Sequence, residues 1–114
     1  MSVKNRGEVT AVGIGSAGIK IVSLLSRKSL LFDRFAYVSC DDGDFSTVDS
    51  KDTILIESPV DQKLTPAIVR GLALGSCQTI RDSVSGSKVV FVVAGLGGAT
   101  GSGLAPLIAS LAQE

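Results

Sequence analysis

The sequence has no histidine, no tryptophan and only two cysteines. Without histidine, the commonest general base and every histidine-dependent catalytic triad are excluded. The absence of histidine and of any Cys-x-x-Cys pair also argues against a transition-metal site. Cys40 and Cys77 lie far apart in the chain, and we interpret both as reduced, partly buried packing residues of a cytoplasmic protein.

Charge of one sign and long apolar runs are lacking as well. Eleven Lys and Arg residues balance eleven Asp and Glu residues, and aromatic residues make up only 4% of the chain. Surfaces that bind nucleic acid usually combine a basic excess with stacking aromatic rings. No apolar run reaches the roughly 18 residues of a membrane span, and the first residues do not form a signal-peptide pattern. We therefore expect no nucleic-acid partner and no membrane insertion.

The sequence is rich instead in short aliphatic runs that alternate with helical patterns. The runs predict strands over residues 9–12, 35–40, 53–56 and 89–94, and the last, apolar at every position, is typical of a central parallel strand. Helices are predicted after the first strand, over 65–84, and through 104–111 with Pro106 in the first turn. This alternation predicts an α/β fold, a three-layer, doubly wound, mostly parallel and Rossmann-like sheet of about four strands.

A first glycine-rich segment, GIGSAG at residues 13–18, follows the first predicted strand and opens a helix. This G-x-G-x-x-G spacing lets backbone N–H groups approach a phosphate at a helix N-terminus. Asp41 ends the second strand, where a dinucleotide-binding fold places its ribose-binding acid. On its own the segment indicates a dinucleotide site, and a tight turn without a ligand is the alternative. We interpret Asp42 and Asp44 as a solvated turn or a helix cap.

A second segment, GLGGATGSG at residues 95–103, leaves the last predicted strand and enters a helix. Its backbone can form a nest for a phosphate, and Thr100 and Ser102 add hydroxyl groups. It lacks the lysine of a P-loop. Two anion-binding loops at neighbouring strand ends fit a nucleoside di- or triphosphate, and a flexible loop without a ligand is the alternative. We expect Gly98→Val or Gly101→Val to abolish nucleotide binding while helical content stays near normal.

The segment GGATGSG, residues 97–103, resembles the GGGTGTG or GGGTGSG signature of the tubulin/FtsZ GTPases. VVFVVAGLGGATGSGLAPLIASLAQE is similar to the FtsZ form throughout, VGIGSAGIKIV resembles its first nucleotide loop, and VSCDD resembles its aspartate segment. The resemblance runs from about Val9 to Glu114 and covers the first part of a domain some three times longer. It implies that residues 1–114 are a truncated, amino-terminal part of an FtsZ/tubulin-like GTP-binding domain.

The resemblance also implies a ligand, GTP or GDP with Mg²⁺, and a set of nucleotide-binding residues. Asp41 would lie near the γ-phosphate and the metal. The residues that would hold the α- and β-phosphates are Gly97, Gly98, Ala99, Thr100, Gly101 and Ser102. Backbone contacts to phosphate and guanine would come from Gly13, Gly15, Ser16, Ala17 and Gly18.

In the family, acidic residues of a later loop complete hydrolysis on the neighbouring subunit, so GTP controls a head-to-tail filament. The resemblance therefore implies no catalytic residue in this chain, which alone would be inactive as a GTPase. It also implies filament formation by the whole protein in cell division or a related process. Because the missing parts would leave apolar sheet surface exposed, we expect a non-native oligomer of this chain as well.

The chain departs from the FtsZ pattern at several positions, and three hypotheses follow. The departures are Ser16-Ala17 for two glycines, Lys20 for Asn, Ser39-Cys40 for Asn-Thr, Ala99 for a signature glycine, and no γ-phosphate loop between Ile56 and Arg70. The first hypothesis is a guanine-nucleotide-binding part of a cytoskeletal GTPase. The alternatives are an NAD(P)-binding domain of an oxidoreductase, for which the second loop has no use, and a non-catalytic FtsZ-like scaffold.

Overall fold

The computed structural model describes residues 9–28, 31–48, 52–58, 63–95 and 98–113. The strands are β1 (Val9–Ile14), β2 (Arg34–Ser39), β3 (Thr53–Leu55) and β4 (Val89–Ala94). The α-helices are α1 (Gly15–Lys28), α2 (Pro66–Ala73), α3 (Cys77–Val84) and α4 (Ala99–Ala112). Among the described residues, no helix is long and apolar enough to cross a membrane.

The four strands form one parallel sheet in the order β3-β2-β1-β4. The register places Val12 of β1 beside Ala36 of β2 and Val92 of β4. Parallel neighbours require crossover connections, which the helices supply. The predicted α/β class, the parallel sheet and the four strands are confirmed, and the carboxyl ends of all four strands lie at one edge.

Strands β1 and β2 are the two inner strands of the sheet, and the prediction that residues 89–94 form a central strand is wrong for the described residues. Strand β4 lies at the sheet edge, where Val89 is 45% and Phe91 50% exposed. The apolar run has another explanation than a central position. Strand β4 pairs with β1 on one side, and Val90 and Val92 are partly buried against the helices on one face. In the described residues no further strand pairs with its outer edge.

Helices cover the two faces of the sheet unequally, which makes three layers. Helix α1 covers one face, where Ile19 and Val22 pack with Ala11 and Tyr37. Helices α2, α3 and α4 cover the other face. The buried aliphatic residues of this second, larger core are Val12, Ile14, Val38, Ile54, Ile56, Val69, Ile80, Val84, Leu104, Ile108 and Leu111.

The helix predicted over 65–84 begins where expected but is interrupted. Thr65 caps α2, because its side-chain oxygen accepts the Ile68 N–H at 3.2 Å. A 3₁₀ turn, Leu74–Ser76, then separates α2 from α3, so the single continuous helix is wrong. The turn contains Gly75, and glycine is a poor helix former. The fully buried stripe accordingly runs through Val69, Ala73, Ile80 and Val84.

Helix α4 begins earlier than the sequence predicts. It starts at Ala99, directly after the strand-end loop, so Pro106 lies well inside the helix and its predicted place in the first turn is wrong. A glycine at position 103 lets this part of α4 pack closely on α2, because a Cβ there would lie 2.5 Å from the Pro66 carbonyl oxygen. The glycine-rich segment is thus largely the first turns of a closely packed helix.

Candidate functional site

A cavity of about 590 Å³ opens at the carboxyl edge of the sheet, where β1, β2 and β4 end. Ligands of doubly wound sheets bind at this edge. The lining residues come from the first glycine loop, the end of β2, the segment before α2, and the start of α4. They are Ile14, Gly15, Ser16, Ala17, Ser39, Cys40, Asp41, Asp44, Leu64, Gly95, Gly98, Ala99, Thr100 and Gly101.

The first glycine loop presents three of its predicted residues to the cavity. Gly15 has a φ of +72° at the start of α1, a backbone conformation that side chains disfavour. The next two residues, Ser16 and Ala17, are exposed and line the cavity. The loop therefore brings the N-terminus of α1, with its free N–H groups, to the carboxyl edge of the sheet.

The other two glycines of this loop serve packing inside the protein. A Cβ at Gly18 would lie 2.2 Å from the Val93 carbonyl oxygen, so this glycine lets α1 press against the backbone of β4. A Cβ at Gly13 would lie 2.7 Å from the Gly18 carbonyl oxygen. Both glycines are buried and neither lines the cavity.

The start of α4 forms the opposite wall. Gly98 is the N-cap in an extended conformation, and a Cβ there would meet nothing within 4 Å. Gly98 makes no side-chain cap bond to the first-turn N–H groups of α4, and N–H groups without a cap are commonly satisfied by water or a ligand. A helix N-terminus of this kind favours an anion through its dipole and its N–H groups.

The remaining predicted residues of the second loop differ from Gly98. Gly101 lines the cavity, but a Cβ there would lie 2.2 Å from the Gly95 carbonyl oxygen. A valine at position 101 would therefore disturb the packing of α4 as well as the cavity wall. Ser102 is half-buried, lies outside the cavity lining, and donates its backbone N–H to the Gly98 carbonyl oxygen at 3.2 Å. Gly97 lies outside the described residues.

Two aspartates reach the cavity from the turn after β2. Asp41 caps the 3₁₀ turn Asp42–Phe45, since its Oδ1 accepts the Gly43 N–H at 2.9 Å. Asp44 is half-buried and lines the cavity, so the interpretation of a solvated turn is wrong for this residue. Asp42 is exposed and lies outside the lining, as that interpretation expects.

Ser39, the last residue of β2, is 1% exposed and connects the two aspartates. Its hydroxyl donates to Asp44 Oδ2 at 2.6 Å and accepts the Asp41 backbone N–H at 3.1 Å. A buried hydroxyl needs such partners, because an unsatisfied one is costly. The hydroxyl thereby fixes the shape of the turn that carries both carboxylates.

Cys40 joins the turn to α4. Its thiol is hydrogen-bonded with Thr100; burial raises the pKa of the thiol, the Thr100 bond opposes that rise, and the nearby charge of Asp44 adds to it. The thiol is therefore neutral at ordinary pH and acts as a packing group between two walls of the cavity. Cys40 and Cys77 are both free and half-buried, as predicted.

The charges on the cavity wall are all negative. Asp41 and Asp44 are the ionisable carboxylates of the lining, and no lysine or arginine is among the described lining residues. Lys63, near the start of α2, is exposed and lies outside this lining. Favourable contacts for an anion must therefore come from backbone N–H groups and the helix N-termini.

Six lining residues lie outside the predicted set of binding residues: Ile14, Ser39, Cys40, Asp44, Leu64 and Gly95. Ser39 had a signal, because a small polar residue closes an otherwise apolar strand end directly before an acidic turn. For Asp44, the only sequence signal was its position in that acidic turn. Leu64 had none, since its place in the lining depends on how the segment before α2 passes the edge of the sheet.

The fold and the cavity together define a parallel α/β domain with two glycine loops at one ligand-binding edge. The chain matches the Tubulin/FtsZ family, GTPase domain, over residues 8–114, and it belongs to that family. Among its relatives, cell division protein FtsZ 1 of Pyrococcus horikoshii is 32% identical over 113 residues, covering 96% of this chain and 30% of the relative. Cell division protein FtsZ of Buchnera aphidicola subsp. Schizaphis graminum is 29% identical over 118 residues, covering 100% and 31%.

Among solved structures, the tail-truncated TubZ of Clostridium botulinum phage c-st superposes with a TM-score of 0.76 at 24% identity. The superposition covers 96% of this chain and 37% of TubZ, and at this identity it supports the fold. The resemblance inferred from the glycine motifs is confirmed, and none of these similarities favours the oxidoreductase alternative. The chain spans about 30% of the length of the relatives it matches.

Proposed function

We propose that the chain binds a guanine nucleotide, GTP or GDP, in the cavity at the carboxyl edge of the sheet. The observation that carries the proposal is Gly98, which caps α4 in open space beside the cavity of a Tubulin/FtsZ-family chain. Among the described residues, no contact requires a glycine there. Bare backbone at a helix N-terminus is what a closely bound phosphate needs.

The two loops divide the contacts with the nucleotide. The first turn of α4, from Gly98 to Thr100, supplies N–H donors for the α- and β-phosphates, and residues 97–102 complete this loop. On the other wall, Gly15, Ser16 and Ala17 supply backbone contacts from the start of α1. Gly13 and Gly18 act indirectly, because they allow α1 to pack where its N-terminus meets the cavity.

The residues of the cavity fit Mg²⁺ as a companion of the nucleotide. Magnesium prefers oxygen ligands and is usually held by one or two carboxylates together with phosphate oxygens and water. Asp41 and Asp44 provide two such carboxylates on the cavity wall. The described residues contain no cluster of three or more metal-ligating side chains, so the phosphates would complete the coordination. When bound, the metal offsets the negative charge that phosphates and carboxylates share.

For the whole protein we propose an FtsZ-like cytoskeletal GTPase of the cytoplasm that assembles head-to-tail filaments. The proposal is supported by the family match and by relatives named as cell division proteins. Hydrolysis would then take place between subunits, and we assign no catalytic residue to the described part of this chain. Residues 1–114 would form the amino-terminal part of the GTP-binding domain.

The exposed edge of the sheet supports self-association of this chain. Val89 and Phe91 are about half exposed on an apolar edge strand, and such edges pair with other chains. We propose a weak oligomer through this edge, distinct from the filament contact. Light scattering over a concentration series would show a rising mass, and a constant monomer mass at high concentration would contradict it.

Calorimetric titration of the chain with GTP, GDP, ATP and NAD tests the nucleotide proposal. We expect both guanine nucleotides to bind more tightly than ATP and NAD in the presence of MgCl₂. Binding of NAD alone would overturn the proposal in favour of an oxidoreductase domain. Absence of binding to all four ligands would leave a non-catalytic FtsZ-like scaffold as the function of this chain.

A further inference from the structure

The turn after β2 includes two hydrogen bonds to one buried hydroxyl group, beside the bonds that the turn makes within itself. Ser39 Oγ donates to Asp44 Oδ2 at 2.6 Å and accepts the Asp41 N–H at 3.1 Å, and the residue is 1% exposed. Removal of this hydroxyl would free Asp44 to turn toward solvent and would loosen the backbone at Asp41. Ser39 therefore fixes the carboxylate of Asp44 directly and the backbone that carries the carboxylate of Asp41.

Each carboxylate keeps one oxygen for the cavity. Asp41 uses Oδ1 to cap its own turn through the Gly43 N–H, and Asp44 uses Oδ2 for Ser39. Within the described residues, the second oxygen of each makes no such bond. The two carboxylates line the cavity with no described lysine or arginine beside them in the lining.

We propose that Ser39 is a positioning residue: its hydroxyl holds Asp41 and Asp44 at the cavity and so makes the site prefer a metal-bound nucleotide to a metal-free one. The inference rests on the proposed function and deepens it. Two fixed negative charges repel the phosphates of a metal-free nucleotide. A divalent cation between phosphate and carboxylates reverses the sign of that interaction.

The test is the affinity for GDP and GTP measured in excess MgCl₂ and again in EDTA. For each nucleotide, the dissociation constant in EDTA divided by the dissociation constant in MgCl₂ reports the metal preference. In the unmodified chain we expect binding to be about tenfold tighter with MgCl₂. Ser39→Ala lowers that ratio about fivefold, because affinity with MgCl₂ falls while affinity in EDTA holds or improves. A merely structural role would weaken both affinities equally and leave the ratio unchanged.

A second pair of variants keeps the test independent of how well Ser39→Ala folds. Asp44→Asn removes the charge that Ser39 holds, and we expect the same fall in the ratio. Asp42→Asn is the matched control, since it removes an equal charge from the same turn at an exposed position outside the cavity. We expect its ratio to equal that of the unmodified chain. Circular dichroism checks that each variant is folded.

The outcomes separate this inference from the proposed function. Equal affinities with MgCl₂ and EDTA in the unmodified chain would overturn the inference and leave guanine-nucleotide binding intact. An unchanged ratio in both Ser39→Ala and Asp44→Asn would do the same, as would an equal effect of Asp42→Asn. Failure of the unmodified chain to bind nucleotide in either solution would overturn both.

Discussion

The two glycine loops look alike in the sequence but are used differently by the structure. In the first loop, each glycine has a reason inside the protein: close approach at Gly13 and Gly18, and a positive φ at Gly15. In the second loop, Gly101 is likewise required by a neighbouring carbonyl group. Gly98 alone, among the described glycines that line the cavity, would carry a Cβ into open space.

This difference shows that a glycine in a nucleotide loop has two distinct explanations. A glycine that the fold requires says nothing about a ligand, because it would be needed in an empty site as well. A glycine in open space at a helix N-terminus lacks that explanation and points to something that approaches the backbone from outside. Substitutions at the two kinds of position should therefore separate stability from binding.

The largest effect is expected at Gly18. In Gly18→Ala the new methyl group would meet the Val93 carbonyl oxygen at 2.2 Å, and neither backbone can move without disturbing the packing of α1 on β4. We expect the free energy of unfolding to fall by about 2–4 kcal/mol. Urea denaturation followed by circular dichroism measures it. Stability equal to that of the unmodified chain would show that α1 does not lie this close to β4.

An intermediate effect, on binding and not on stability, is expected at Gly98. Gly98→Val places a side chain where the phosphate must reach the first turn of α4, so we expect guanine-nucleotide affinity to fall at least about tenfold. The free energy of unfolding should change by no more than about 1 kcal/mol, the scale of an altered helix cap. Calorimetric titration and urea denaturation of the same sample give both quantities.

Gly101→Val provides the contrast, since its side chain would meet the Gly95 carbonyl oxygen. It should lose stability and binding together. If Gly98→Val also lost stability while Gly101→Val kept it, the distinction between the two kinds of glycine would be wrong.

The smallest effect is expected at Gly71, inside α2. It is outside the cavity lining, is exposed, and a Cβ there meets nothing within 4 Å. Gly71→Ala should raise the free energy of unfolding by about 0.5–1 kcal/mol through better helix propensity, with nucleotide binding unchanged. Thermal denaturation measures it, and Gly86→Ala is the control. Because Gly86 has a φ of +81°, that control should lose stability.

The sequence predicted most of the fold because its signals are local. Alternation of aliphatic runs and helical stripes located all four strands, and Thr65 with Pro66 located the start of α2 correctly. Those signals say nothing about neighbours. The edge position of β4 depends on which strands pair. The break before α3 depends on whether packing offsets the low helix propensity of Gly71 and Gly75.

Of the site, the sequence predicted the two loops and Asp41, which follow from a motif and a strand end. The sequence could not predict that Ser39 positions the aspartates, since this role depends on a hydrogen bond across the turn to Asp44. It also could not separate Gly98 from Gly101, because the two have the same chemistry and differ only in the atoms around them. Nucleotide contacts themselves stay predictions.

The position of β1 between β2 and β4 has a consequence for synthesis on the ribosome. Thr10 pairs with Arg34 on one side, which emerges soon after it, and with Val90 on the other, which emerges much later. Until β4 is made, β1 has one unpaired edge, and α1 lacks the β4 backbone against which Gly18 packs. The pairing of β1 with β4 is therefore a long-range contact of the kind that forms slowly, and until it forms the nascent chain carries β1 with one unpaired edge.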